Sequence, residues 1–419
     1  MTGVGRWLNR WVVPFLTALS ENTYMAAIRT GMVSVVPLTI IGGLFMIVTN
    51  LPIPGWEERI AQYLPLLKVP VNATFGLLAV FVCFGIAYDL GKRFQLEAIS
   101  SGMLATVVFL MIQMDLKEER LVMAGLGSQG LFTAVLVAVV SARVQKFMVN
   151  LGMVIRMPAS VPAVVQESFL SLTPLLVLVV GFWLIRFVFG VDINAQLQAV
   201  LEPLVFALNT LPGILLYAFL VTLLWSVGIN GDNALDGIVL AFFMKYLAAN
   251  VEAMQAGLPL PYVTANGFFT TFVNVGGTGA TIALALVMVN SRDAGYRKVS
   301  RLSLPTQVFQ INEPIFYGMP IVLNPIFMVP YVLCALTLTT GSYLLMHWNI
   351  IRRPFVNVPW TTPPIIGHYL ATGGDWKAAV WGACSIVIAM GIYWPFARAA
   401  ERQRLTAASE DSAAGQTTK

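Results

Sequence analysis

The residue with the strongest claim to chemistry in this chain is Glu313, set in Gln310-Ile311-Asn312-Glu313-Pro314-Ile315-Phe316-Tyr317-Gly318. A carboxylate between Ile311 and Ile315 lies in a context apolar enough for a membrane interior. An ionised side chain there needs a partner or a water-filled cavity, and marks a functional site by default. Pro314 disfavours helix at Glu313 and interrupts the hydrogen-bond ladder, freeing carbonyls that a ligand hydroxyl can meet. The bland alternative is a capping carboxylate at a helix start. A second cluster is Trp225-Ser226-Val227-Gly228-Ile229-Asn230-Gly231-Asp232-Asn233. Gly228 and Gly231 permit a tight turn. Asn230, Asp232 and Asn233 supply donors and acceptors, and Trp225 offers a flat apolar face of the kind on which sugars stack. The alternative is a helix-start turn with Asp232 or Asn233 as N-cap. The third is Val358-Pro359-Trp360-Thr361-Thr362-Pro363-Pro364, where three prolines prevent regular helix. Trp360 there is a ligand contact or a residue of the interfacial aromatic belt. The fourth is Asn274-Val275-Gly276-Gly277-Thr278-Gly279. It lacks the lysine of a phosphate-binding loop and follows no expected strand, so a hinge or close helix packing explains it equally well.

Other constellations are missing. No serine triad, metal-ligand set or nucleotide-binding motif is present, so neither metal nor cofactor is expected. His347 and His368 are too far apart for a zinc site, and Cys83, Cys334 and Cys384 sit in apolar runs without metal-like spacing. Arg292, Arg297, Lys298 and Arg301 read as a basic loop able to dock a partner, and Asp89, Lys92 and Arg93 as a charged helix end.

The elements that must position these residues follow from composition. Of 419 residues, 58% are hydrophobic and only 11% charged, against about 25% charged in a soluble domain. Mean hydropathy is +0.78. The bilayer must therefore be part of the solvent, and the fold class is an all-α polytopic membrane protein. The net charge of +5 reflects basic cytoplasmic loops rather than nucleic acid as a partner. Spans are expected near Met32–Thr49, Phe75–Leu90, Ala98–Met114, Gly130–Val149, Leu172–Phe189, Pro212–Val227, Thr281–Val289, Ile321–Met346 and Ala378–Tyr393. Lys92 and Arg93 follow the second span, Arg143, Lys146 and Arg156 the fourth, which places the N-terminus in the cytoplasm. Pro54–Lys68 and Asp115–Arg120 read as external loops. Trp11–Leu19, with Arg6 and Arg10, reads as an amphipathic lead-in helix and not as a cleaved signal. Residues 193–210 alternate Asn194, Gln196, Gln198 and Glu202 with Val200, Leu201, Leu204 and Leu208, which predicts an amphipathic helix joining two halves. In the second half, Gly228–Asp236, Thr264–Gly279, Leu304–Gly318 and Pro354–Gly373 are apolar yet full of Gly, Pro, Asn and Thr. Irregular backbone at membrane depth must line a cavity or be covered by protein, so these read as broken helices or re-entrant hairpins of a binding site. Residues 401–419 read as a disordered tail.

Together the motifs resemble component IIC of the bacterial phosphotransferase system, in its lactose/cellobiose/chitobiose branch. The likeness rests on Trp225–Asn233, on Asn312-Glu313-Pro314 with Gly318, Pro320 and Asn324-Pro325, and on Pro359–Pro364 with Gly367 and Ala371-Thr372-Gly373. Ile28-Arg29, Pro37-Leu38 and Gly42-Gly43 fit the first span of that family. The resemblance implies about ten transmembrane helices plus two re-entrant hairpins, in a homodimer embedded in lipid of the bacterial inner membrane, with both termini cytoplasmic. It implies a scaffold of residues 1–192, the linker 193–210, and a sugar-carrying half, 211–400, that moves as an elevator. A β-linked disaccharide such as cellobiose, chitobiose or lactose is phosphorylated by a phosphocysteine on a separate IIB chain, itself charged through IIA. Carried over residue by residue, Glu313 is the catalytic carboxylate at the reacting hydroxyl. Trp225, Asn230, Gly231, Asp232, Asn233, Asn312, Trp360 and Thr361 are substrate-binding residues. One position departs from the pattern: the family has Gly-Ile-His-Gly where this chain has Gly228-Ile229-Asn230-Gly231. Asparagine hydrogen-bonds a hydroxyl but does not titrate. That departure motivates a second reading, a facilitator that moves sugar unphosphorylated; a sugar-binding receptor and an ion-coupled symporter using Glu313 are further alternatives.

Overall fold

A computed structural model describes residues 22–50, 55–116, 120–158, 160–319 and 321–417. The lead-in helix expected at Trp11–Leu19 lies outside them. The first half runs through α1 (Thr23–Ser34), α2 (Val36–Thr49), α3 (Leu64–Thr74), α4 (Leu78–Arg93), α5 (Ala98–Ile112), α6 (Leu131–Asn150) and α7 (Ala163–Trp183). The amphipathic α8 (Ile193–Leu208) buries only Ile193 and meets α9 (Leu211–Ser226) at a 76° bend. Then come α10 (Gly231–Gln255), α11 (Phe268–Phe272), α12 (Thr281–Met288), α13 (Ala294–Val308), α14 (Glu313–Gly318), α15 (Pro325–His347), α16 (Pro364–Ala371) and α17 (Trp376–Thr417). Among the described residues, seven helices are long and apolar enough to cross a membrane, or eight if the bent pair α8–α9 counts as one span.

Local sequence sets the starts. The Asn22 carboxamide accepts from the Tyr24 amide at 2.9 Å to open α1, Asn230 does the same for α10, and Asp293 for α13. Each satisfies an amide the first turn leaves unpaired. The helices pack as two groups. In one, α4 lies against α1, α5 and α6; in the other, α15 and α17 pack on each other and on α9, α12 and α16.

Helix α10 joins the groups, and the sequence reading missed it. Asp232, Asp236, Lys245 and Glu252 interrupt its apolar run. They are tolerated because none of the four is exposed and most of the helix is buried by protein, which shields it from lipid. Its first turns border the second group, while its last turns are fastened to the first. Glu252 accepts from the Ser128 amide at 3.1 Å and hydroxyl at 2.8 Å, and Lys68 donates to the Gln255 carbonyl at 3.1 Å.

Three further expectations change. The external loop expected at Pro54–Lys68 contains the start of α3, which continues with α4 as one apolar stretch, Leu64–Arg93. The basic loop expected at Arg292–Arg301 is largely helix α13, started by the Asp293 cap. The tail expected to be disordered from residue 401 is helical in its backbone to Thr417, in line with its alanine content. All four irregular segments carry left-handed backbone where helices break or begin: Gly228 in the first, Gly267, Gly276, Gly277 and Gly279 in the second, Gln310 in the third and Gly373 in the fourth.

Candidate functional site

The irregular segments converge on a cavity of about 650 Å³ between the two groups, within the 300–1,000 Å³ usual for small-ligand sites. Val33, Val36 and Pro37, from α1 and α2, form one wall. The rest comes from α9, the first turns of α10, residues 264–278, 310–313 and 357–360.

The turn between α9 and α10 is built backbone first. Gly228, at φ 90°, reverses the chain after α9, and the Ile229 amide returns to the Leu224 carbonyl at 3.0 Å. Asn230 then caps α10, its Oδ1 accepting from the Asn233 amide at 2.9 Å. The cap is Asn230 and not Asp232 or Asn233. With its oxygen committed, Asn230 has Nδ2 to offer a ligand. Across the interface, the Arg29 guanidinium on α1 donates to the Asn233 carbonyl at 2.8 Å.

Asp232 organises the wall behind this turn. Its Oδ2 accepts from the Trp225 indole N–H at 2.8 Å and from the Thr278 hydroxyl at 3.1 Å. Trp225 lines the cavity but is only 6% exposed, and it meets Phe316 edge-on with ring centroids 5.2 Å apart. The broad stacking face expected of it is largely covered. Trp360, 58% exposed, is the open indole on the lining.

Residues 310–313 are fixed by their amides. Gln310 accepts from the Gly276 and Gly277 amides at 3.1 and 3.4 Å, and donates to the Thr270 and Thr362 carbonyls at 3.4 and 3.2 Å. It thereby ties the glycine-rich run to the Trp360 segment. Asn312 donates to the Thr278 carbonyl at 3.1 Å. A Cβ on Gly277, at φ 104°, would meet the Asn312 side chain, so glycine is required there.

Glu313 opens α14, with Pro314 in the first turn where its missing N–H leaves nothing unpaired. The carboxylate is exposed and lines the cavity. Among the described residues it has no hydrogen bond or ion pair and caps no helix. The charge expected to be buried among apolar residues therefore faces an open cavity.

The cavity brings together Trp225, Asn230, Asp232, Asn233, Asn312, Glu313 and Trp360. Gly231 and Thr361 are not on its lining: Gly231 packs against the Val221 backbone and Thr361 is half-buried beside Trp360. Sequence reasoning missed Asp236, one turn beyond Asp232 on the same helix face, for which the i, i+4 spacing was the available signal. It also missed Asn266 and Asn357. Asn266 donates to Asn357 at 3.2 Å, and Asn357 donates to the Thr39 hydroxyl of α2 at 2.6 Å. No local pattern announces a contact 318 residues apart.

Comparison with known proteins gives consistent matches. Residues 29–335 fit the sequence profile of the family described as phosphotransferase system, EIIC. The lichenan permease IIC component of Bacillus subtilis (strain 168) is 33% identical, over 97% of this chain and 95% of that protein. The cellobiose-specific EIIC component of Geobacillus stearothermophilus is also 33% identical, over 95% and 94%. The crystal structure of ChbC, the IIC component from the N,N'-diacetylchitobiose-specific phosphotransferase system, superimposes with a TM-score of 0.89 at 34% identity, covering 96% of this chain and 99% of that one.

Proposed function

The chain belongs to the phosphotransferase system EIIC family, and from that premise we propose that its cavity receives a β-linked disaccharide, which the protein carries across the bacterial membrane as IIB phosphorylates it. The chain is a multi-pass helical membrane protein. The observation that carries the reading is convergence: the turn at Asn230, the Asn312–Glu313 corner and Trp360 face one cavity of disaccharide size. Relatives named for lichenan, cellobiose and diacetylchitobiose support a β-linked substrate. Asn230 is the one feature that spoke for a facilitator without phosphorylation, and the family membership does not favour it.

In the proposed reaction the sugar hydroxyl oxygen attacks the phosphorus of the IIB phosphocysteine. The O–P bond forms, the S–P bond breaks and the sulfur leaves as thiolate. Glu313, open and unpaired, takes the hydroxyl proton as general base. Asn230 donates from Nδ2 to a sugar oxygen, and Trp360 supplies an apolar face. Gly231 and Thr361 act through the backbone that carries their neighbours. For the moving parts, the reading follows the family: ten spans and two re-entrant hairpins, residues 1–192 as the scaffold of a homodimer, 193–210 as linker, and 211–400 as an elevator, with both termini cytoplasmic.

Uptake into vesicles, with and without phosphoenolpyruvate and the soluble carriers, tests the reading. Accumulation of sugar phosphate only with the carriers is expected; undiminished entry of unmodified sugar without them would sink it. Asn230→His gives a second expected result. A titratable ring at the turn raises the phosphorylation rate, while loss of the carboxamide cap lowers stability by about 1 kcal/mol. Single-turnover kinetics with phospho-IIB measures the first effect and thermal unfolding the second. An unchanged or slower rate would show that Asn230 is no handicap.

A further inference from the structure

The polar groups of the cavity are unbalanced. Its lining includes three carboxylates, Asp232, Asp236 and Glu313, and among the described residues no Lys, Arg or His. Asp232 is engaged by Trp225 and Thr278. Asp236 and Glu313 receive no hydrogen bond and make no ion pair within 4 Å among the described residues. Asn274, on the same wall and beside Asp232, is 7% exposed, and its Oδ1 has no hydrogen-bond partner. Four of the wall's amide side chains spend their donors within the protein, while Asn230 keeps Nδ2 free for a ligand. Asn266 donates to Asn357, Asn357 to Thr39, Asn312 to the Thr278 carbonyl, and Gln310 to two carbonyls. The cavity thus presents two carboxylates without a partner among the described residues and no cationic group on its lining.

A buried acceptor without a donor, or a carboxylate without a counter-charge, is destabilising until a ligand supplies what is missing. A hydroxyl supplies one donor and no charge. An acetamido group adds a carbonyl that itself wants a donor. An ammonium supplies three donors and a positive charge. Histidine at the Asn230 position, usual in the family, would be the one lining group able to turn positive; here it is a neutral amide whose oxygen already caps α10. Arg29, whose charge acts on Asp236, is not on the lining and is engaged with the Asn233 carbonyl.

We propose that this chain prefers a β-linked disaccharide of amino sugars with free amines, an ammonium being held by Asp236 with the Asn274 oxygen while Glu313 stays at the reacting hydroxyl. The inference rests on the disaccharide-permease reading above and narrows its substrate class.

The test compares three ligands on the purified full chain in detergent by thermal shift and titration: cellobiose, the β-1,4-linked glucosamine disaccharide and its N,N'-diacetyl form. Near pH 7 an amine of this kind is mostly charged. The free diamine is expected to bind about tenfold more tightly than cellobiose, the ratio that ~1.4 kcal/mol gives. In Asp236→Asn that ratio falls to about one, with the unliganded melting temperature reporting whether the variant is folded. Should the variant fail to fold, salt answers the same question on the unaltered protein: raising ionic strength erodes the diamine's advantage and leaves cellobiose unaffected. Equal or weaker binding of the diamine, or preference for the diacetyl form, overturns the proposal. So does stabilisation by sodium chloride alone over choline chloride at equal ionic strength, which would make the acceptor cluster an ion site. Failure of every disaccharide to bind would instead strike the permease reading itself.

Discussion

Glu313→Gln lowers phosphorylation of bound sugar by about 10²–10⁴-fold, the range a positioned general base contributes, and leaves sugar affinity within about tenfold. The carboxamide keeps the shape and one acceptor of the carboxylate but does not take up a proton. The position suits an isosteric test, because Glu313 is exposed to the cavity and engaged with no other described residue. The substitution therefore leaves no protein group unpaired. Phosphorylation is read by mixing the sugar-loaded protein with phospho-IIB in a single turnover, and affinity by titration. Loss of binding would mean that the carboxylate is chiefly a sugar ligand. An unchanged rate would send the proton elsewhere on the wall, with Asp236 the next carboxylate to examine.

Asp232→Ala should be the most damaging change that leaves the proposed base in place. It removes the acceptor of both the Trp225 indole and the Thr278 hydroxyl. Each donor left unpaired at a buried site costs about 1–3 kcal/mol, and Trp225 is too covered to find water. The wall loses its tie between α9, α10 and the glycine-rich run, so KM rises by about 10–100-fold, which is ~1.4–2.8 kcal/mol, and the melting temperature falls. Because Asp232 is engaged by the protein and is not the proposed base, kcat is expected to change far less than KM. Asp232→Asn keeps one acceptor oxygen and should recover much of the loss. Equal falls in kcat with KM unchanged would place Asp232 in the chemistry instead of in the scaffold.

The candidate site residues were legible because membranes make polar residues conspicuous. Glu313, the Asn230 turn and Trp360 stood out against apolar neighbours, and they meet in space. What sequence reading mistook was their exposure. Glu313 was expected among apolar side chains and lies open to the cavity, while Trp225 was expected to present a face and is packed against Phe316. Exposure depends on which distant segments arrive, and no local pattern states that. Helix α10 was passed over although its central stretch is apolar enough to cross a membrane: Asp232, Asp236, Lys245 and Glu252, spread along it, broke up the run to the eye. Asn266 and Asn357 share the defect: asparagines in loop-like segments look alike until the chain has folded.

The same helix bears on how changes in this protein would be read from genetic data. At about 1.5 Å per residue, its 25 residues make a rod of about 37 Å. One end carries Asp232 and Asp236, and the other is clasped by Ser128 and Lys68. A rigid rod passes tilt from end to end, so a lesion at Glu252 or Ser128 is expected to reach the proposed sugar site without touching it. Scored by distance from the substrate, such a variant would be filed as benign. Scored by the element it anchors, it belongs with the site residues.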